Sequence, residues 1–137
     1  MEVIGRSPTH VLVVLEDVSN ERWGLVLTRL LREDGWAAEL VLGLEPGTVR
    51  LAWAPAPMVI VLDIASASKP LRALLDEARS LASPPRLIVI TDEPSVAREV
   101  ESLVSTALSK PIAADELRRF LANGNGSAAA AGTSAAE

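Results

Sequence analysis

The chain of 137 residues contains no cysteine and a single histidine, His10. The absence of cysteine excludes disulfides, thiol catalysis and cysteine-ligated metal sites, and it allows a reducing compartment. The single histidine removes most zinc chemistry. A Ser-His-Asp hydrolase would have to use that one imidazole, which lies at the entrance of the first apolar run. These chemistries therefore do not explain the sequence.

Positive charge is also scarce, since 13 lysine and arginine residues face 18 aspartate and glutamate residues, for a net charge of -5. Without a basic cluster, nucleic acids and anionic membrane surfaces are poor partners. No apolar stretch approaches the roughly 18 residues of a membrane span, and the N-terminal stretch is too short and too acidic for a signal peptide. We therefore expect a cytoplasmic protein that binds neither nucleic acid nor membrane.

Apolar runs of strand length alternate with segments of helical spacing. The apolar runs lie at residues 9–17, 36–42, 58–63, 86–92 and 106–109. The helical segments lie at residues 19–35, 46–55, 69–82, 94–104 and 113–122. Continuous apolar runs are typical of parallel strands that are buried on both faces. The alternation predicts an α/β fold, a doubly wound five-stranded parallel sheet with helices on both faces.

Composition divides the chain into three segments. Residues 1–8 are predicted to be an N-terminal extension, and residues 9–122 one domain. The chain is long enough to bury roughly two thirds of its unfolded surface and should fold alone. Residues 123–137 contain mostly alanine, glycine and serine and no bulky apolar side chain. We expect this last segment to be a flexible tail, because it cannot repay its ordering entropy.

Polar side chains stand where the apolar runs end: Glu16, Asp17, Asp63, Thr91 and Lys110. A doubly buried strand tolerates no charge in its middle, so Asp63 is expected at an exit from the core. In open parallel sheets, ligand chemistry lies beyond the carboxyl ends of the strands. Carboxylates that meet there repel one another unless a proton, a lysine or a hard cation such as Mg²⁺ compensates them. The pattern therefore motivates a cation site.

The ordered pieces VLVVLED, VIVLDIA, LIVITD and LSKPI resemble the receiver domain of two-component response regulators over about residues 9–122. The resemblance implies a flavodoxin-like fold of the receiver type. It also implies that Asp63 accepts a phosphoryl group from a histidine kinase or a phosphotransfer protein. By the same resemblance, Thr91 bonds the phosphoryl oxygens and Lys110 pairs with the phosphoaspartate, so these three residues are the predicted catalytic positions.

The resemblance further implies Mg²⁺ as the cofactor, with Glu16, Asp17, Asp63 and Ala65 as the metal positions. The implied partners are the kinase or phosphotransfer protein and a separate effector protein, and the implied state is a monomer or a weak homodimer. Any enzymatic activity is at most self-phosphorylation and autodephosphorylation of Asp63. The chain is expected to act without its own output domain or to be a fragment of a longer regulator.

The acidic positions after the first strand can be aligned in two registers. One register uses Glu16 and Asp17 as the acidic pair, and the other places Leu15 at the first position and Glu16 at the second. The second register loses a carboxylate, which would weaken Mg²⁺ binding and slow phosphotransfer. The segment after Asp63 also lacks the Met-Pro-Gly turn of the family. An atypical pseudo-receiver, acting as a phosphorylation-independent protein-interaction module, is therefore the alternative.

Each of these residues also has a purely structural interpretation. Glu16 and Asp17 could solvate a strand end or cap the first helix, and Thr91 could simply favour a strand. Lys110 could pair with Asp63 in a site that never meets phosphate. These alternatives stay open on the sequence alone.

Aromatic residues are few, and three of the four are tryptophans. We expect Trp23, Trp36 and Trp53 to pack in the core or at its edge, because base stacking does not suit an acidic chain. A nucleotide-binding enzyme of the same fold class is a further alternative. It is disfavoured because no glycine-rich phosphate loop such as GxGxxG occurs.

Overall fold

The computed structural model describes residues 9–110 and 112–122. The predicted N-terminal extension and the predicted tail lie outside the described residues. The strands are β1 (His10–Leu15), β2 (Ala37–Leu42), β3 (Val59–Ile64), β4 (Arg86–Thr91) and β5 (Thr106–Ser109). The helices are α1 (Glu21–Glu33), α2 (Leu44–Arg50), α3 (Lys69–Arg79), α4 (Pro94–Val100) and α5 (residues 114–122), and a 3-10 turn, Val18–Asn20, precedes α1.

The five strands form one parallel sheet in the order β2-β1-β3-β4-β5. This confirms the predicted doubly wound α/β fold. The strand order reverses at β1, which lies between β2 and β3. In such sheets the reversal opens a crevice at the carboxyl ends of the two central strands. Here those strands are β1 and β3, so the crevice lies beside the end of the strand that carries Asp63.

Two hydrophobic cores lie on opposite faces of the sheet, because successive side chains of a strand point to opposite sides. On one face, Leu12 and Val14 of β1 pack with buried residues of α2, α3 and α4. On the other face, Val11, Val13 and Leu15 pack with buried residues of α1 and α5. β1 is thus buried on both sides, as its uninterrupted apolar run predicts.

The second helix differs from the prediction at both ends. It was expected between Pro46 and Pro55, but α2 begins at Leu44 and ends at Arg50. It begins earlier because Gly43, with φ of 106°, makes the turn out of β2, and proline is compatible with the first turn of a helix. It ends earlier because the Arg50 guanidinium donates to the carbonyls of Trp53 and Pro55 and holds the following loop outside the helix.

The third strand also extends further than predicted. It was expected to stop at Asp63, but β3 includes Ile64, which pairs with Thr91 of β4. Asp63 therefore lies one residue before the end of the strand and is buried. The third and fourth helices end three and four residues earlier than expected.

No helix within residues 9–110 and 112–122 is long and apolar enough to cross a bilayer.

Two leucines of α1 test how the helix packs on the sheet. Leu27 is fully buried, whereas Leu25 on the same helix is 53% exposed. Leu27→Ala should lower the free energy of unfolding by about 2–5 kcal/mol, because it removes buried methyl groups and leaves a cavity. Leu25→Ala should change it by roughly 0.5 kcal/mol or less. Urea denaturation measures both, and equal losses would contradict the placement of α1.

Candidate functional site

Asp63 lies near the carboxyl end of the central strand, β3, between Leu15 of β1 and Ile90 of β4. Its residue surface is only 3% exposed. Lys110 Nζ lies 2.9 Å from Oδ1 of the carboxylate, and Asn20 Nδ2 donates a hydrogen bond to Oδ2 at 3.1 Å. Both oxygens of this buried carboxylate therefore have a nitrogen donor, as a charge in the core requires.

Lys110 reaches Asp63 because it follows β5 directly. Its backbone N–H donates to the carbonyl oxygen of Thr91 at 2.8 Å, which fixes the residue to the end of β4. Its ammonium group also lies 3.9 Å from Oδ1 of Asp92, whose side chain is largely exposed. The structure thus brings together two of the three predicted catalytic positions, Asp63 and Lys110, in one ion pair.

Thr91, the third predicted position, ends β4 at the same edge of the sheet and is fully buried. Its Oγ1 accepts a hydrogen bond at 3.2 Å from the backbone N–H of Glu93. Glu93 is the residue that immediately precedes α4. The hydroxyl is therefore tied to the turn that starts α4, and it retains its own proton as a possible donor.

The acidic residues after β1 engage the backbone. Leu15 is the residue that pairs with Asp63, and it is fully buried. Glu16 Oε1 accepts a hydrogen bond from the backbone N–H of Ala65 at 2.8 Å. Asp17 Oδ1 accepts from the N–H of Ser19 at 2.9 Å and caps the 3-10 turn. These hydrogen bonds from Ser19 lower the pKa of Asp17.

These contacts bear on Mg²⁺, which needs several oxygen ligands directed at one point. In the described part of the chain, no group of three or more histidine, cysteine, aspartate or glutamate side chains is arranged to hold a metal ion. Of the predicted metal positions, Asp63 faces two nitrogen donors and Glu16 holds the N–H of Ala65. The donor set as folded does not fit Mg²⁺.

A cavity of about 380 Å³ opens beside the Asp63–Lys110 pair. Its lining residues are Asn20, Trp23, Asp63, Asp92, Lys110 and Ile112. The indole Nε1 of Trp23 donates to the carbonyl oxygen of Ile112 at 3.1 Å, which joins α1 to the segment after β5. The cavity combines an apolar wall, Trp23 and Ile112, with a charged floor, Asp63, Asp92 and Lys110.

Two residues of this site, Asn20 and Trp23, were not predicted as functional from the sequence. Asn20 lies immediately before α1, but it makes no side-chain capping bond and instead donates to Asp63. Trp23 was expected only to pack. The available signal was position, because both residues follow the first strand closely and α1 must start at the same sheet edge as Asp63.

Comparisons with known proteins support the fold. No family model matches the chain, and no curated protein matches it in sequence. The chemotaxis response regulator CheY4 of Vibrio cholerae matches 85% of this chain and 98% of its own, with a TM-score of 0.68 at 17% identity. A response regulator receiver protein from Pseudomonas putida matches 86% and 98%, with a TM-score of 0.68 at 20% identity. The chain has the fold of a response regulator receiver domain.

The receiver fold is not confined to proteins described as response regulators. The pilus assembly protein CpaE from Caulobacter crescentus matches 82% of this chain and 90% of its own, with a TM-score of 0.63 at 18% identity. At these identities the likeness concerns the fold. The predicted resemblance to receiver domains is confirmed at that level, and the roles of individual side chains depend on the geometry of this chain.

Burial raises the pKa of Asp63 above its ordinary value of 3.8, and the hydrogen bonds from Lys110 and Asn20 offset this only in part. A raised native pKa means that the folded chain binds this proton more tightly than the unfolded chain does. Ionisation of Asp63 therefore reduces stability, and the reduction grows as pH rises through the interval just above 3.8.

The variant Asp63→Asn tests this sign. It keeps the shape of the side chain and cannot ionise, so its stability lacks this pH dependence. The free energy of unfolding of the wild type should fall relative to that of Asp63→Asn as pH rises above 3.8 towards the native pKa. Denaturant titrations at a series of pH values measure the difference, and parallel curves would show that burial does not raise this pKa.

Proposed function

We propose that the chain is a cytoplasmic signal receiver domain in which Asp63 accepts a phosphoryl group from a histidine kinase or a phosphotransfer protein. The observation that carries this proposal is the 2.9 Å pair between Asp63 and Lys110, at the crevice of a receiver fold and beside a cavity. A carboxylate that pairs with an ammonium group next to an open volume can act as a nucleophile towards a phosphorylated donor.

In the proposed reaction, a carboxylate oxygen of Asp63 forms a bond to phosphorus while the bond from phosphorus to the leaving group breaks. The leaving group, a histidine imidazole or the acetate of acetyl phosphate, keeps the electron pair. Lys110 neutralises the negative charge on the equatorial phosphoryl oxygens, so catalysis is positioning plus electrostatics. Lys110 is suited to this role because its backbone is fixed to the end of β4.

The new phosphoryl group would carry a charge of about −1.5 to −2 and would attract hydrogen-bond donors. Thr91 is the residue predicted to bond the phosphoryl oxygens. In the structure its hydroxyl accepts a hydrogen bond from the N–H of Glu93. Turning the hydroxyl towards the phosphoryl oxygens would break that bond and release the start of α4. The resulting shift between two packings would change a protein-binding face for a separate effector.

Mg²⁺ at Glu16, Asp17, Asp63 and Ala65 is implied by the resemblance alone, and the proposed reaction does not use it. Because Glu16 and Asp17 both accept backbone N–H groups, Lys110 is the cation on which the proposed transfer relies. The proposed chain is a monomer or a weak homodimer.

A phosphorylation-independent interaction module is the second candidate. It is favoured by the partners of Asp63, because Lys110 and Asn20 already occupy both carboxylate oxygens. It is also favoured by Leu15, which offers no carboxylate opposite Asp63. In this case the ion pair only stabilises the fold, and signalling depends on the surface.

Acetyl phosphate distinguishes the two candidates. Under the phosphoacceptor proposal, intact-mass spectrometry should show the gain of one phosphoryl group on the wild type and none on Asp63→Asn. Lys110→Met should slow the gain by at least about tenfold, because the neutralising charge is lost. Asp76→Asn makes the same chemical change on the exposed face of α3 and should react like the wild type.

The reaction is run with and without MgCl₂. If the wild type gains no phosphoryl group in either condition, and a partner binds the wild type and Asp63→Asn equally, the phosphoacceptor proposal is wrong and the interaction module is supported.

A further inference from the structure

The side chain of Asn20 occupies an unusual position for a residue that precedes a helix. It stands at the start of α1, where an asparagine ordinarily caps the first backbone N–H groups. Its amide instead crosses to β3 and donates to Oδ2 of Asp63 at 3.1 Å. The contact joins residues 43 positions apart. Asn20 is thus a side chain of the Asp63 site and not a cap.

The Asn20 amide and Lys110 each engage one oxygen of the carboxylate, and Lys110 also neutralises its charge. Lys110 supplies one positive charge at 2.9 Å from Oδ1, so the pair has no net charge. A divalent ion bound at the same carboxylate would lie close to this ammonium group and would be repelled by it. At Oδ2 the ion would meet Nδ2 of the Asn20 amide, which is a hydrogen-bond donor and has no lone pair for a cation.

Glu16 also forms hydrogen bonds with the backbone. Its carboxylate accepts from the N–H of Ala65 at 2.8 Å, and its own N–H donates to the carbonyl of Asp63 at 2.9 Å. These two bonds hold the end of β1 to the end of β3 and to the loop beyond it. The side chain thereby ties together the segments that a bound cation would otherwise bridge.

We propose that the Asp63 site works without a divalent cation, because the Asn20 amide and the Lys110 ammonium hold the carboxylate in place of a metal, and because position 20 supplies an amide nitrogen where a carboxylate oxygen would complete a cation site. The proposal deepens the receiver function proposed above and rests on the same carboxylate. Asn20 is a positioning residue, since it acts by orienting Asp63. The proposal concerns metal binding, so it can be tested without a phosphoryl donor.

The variant Asn20→Asp is the decisive change. It places a carboxylate oxygen about 3 Å from Oδ2 of Asp63, where two like charges repel and a cation relieves the repulsion. We expect no saturable Mg²⁺ binding to the wild-type chain at millimolar concentrations. The variant should bind Mg²⁺ at least about tenfold more tightly than the wild type, since it has gained a converging oxygen ligand. Isothermal titration calorimetry with MgCl₂ measures both.

Two controls separate this site from other carboxylates. Asn20→Ala removes the amide without adding an oxygen ligand and should resemble the wild type. The double variant Asn20→Asp with Asp63→Asn should lose the gained binding, because one of the two carboxylates is gone.

Saturable Mg²⁺ binding to the wild type that disappears in Asp63→Asn would overturn the proposal. A folded Asn20→Asp chain that gains no affinity would equally refute the role of Asn20, with folding checked by circular dichroism. If Asn20→Asp does not fold, the wild-type and Asp63→Asn titrations still decide whether the site binds a cation. If acetyl phosphate does not phosphorylate the chain but the Mg²⁺ titrations give the expected results, only the phosphoacceptor proposal is wrong.

Discussion

The structure depends on how one buried negative charge, Asp63, is accommodated near the end of its central strand. A buried carboxylate without partners would cost several kcal/mol, and breaking a buried pair is destabilising for the same reason. Asp63 is compensated from two directions, by Lys110 after β5 and by Asn20 before α1. The two donors come from segments far apart in the chain, so the pair requires that the whole sheet be assembled in its observed order.

The same requirement explains several local features at this sheet edge. The N–H of Lys110 bonds the carbonyl of Thr91, and the N–H of Glu16 bonds the carbonyl of Asp63, so each strand end is fastened to its neighbour. Trp23 adds a third connection, from α1 to Ile112 beyond β5. Together these bonds fix the backbone around the cavity while leaving its mouth open to solvent.

The fold could be predicted almost completely from the sequence, because buried parallel strands leave uninterrupted apolar runs. Even β5, only four residues long, was placed correctly from TALS. The ends of α2 were not predicted correctly. The prediction placed them at Pro46 and Pro55, whereas Gly43 and the contacts of Arg50 determine where the helix begins and ends. Asp63 and Lys110 were correctly predicted to be neighbours, because the carboxyl ends of parallel strands lie at the same edge of the sheet. The partners of Glu16 and Asn20 were not predictable, since side-chain direction in a turn leaves no periodic signal in the sequence.

The indole of Trp23 has a practical consequence for spectroscopy. It lies in the wall of the cavity and is hydrogen-bonded to the segment that follows Lys110. Trp23 and Lys110 line the same cavity, so a displacement of the ammonium group should change the surroundings of the indole. Trp53, which is 63% exposed, lies in the loop after α2, and Trp36 packs against the core, so neither belongs to the cavity lining. Of the three tryptophans, Trp23 is therefore the intrinsic fluorophore that lies in the wall of the candidate site.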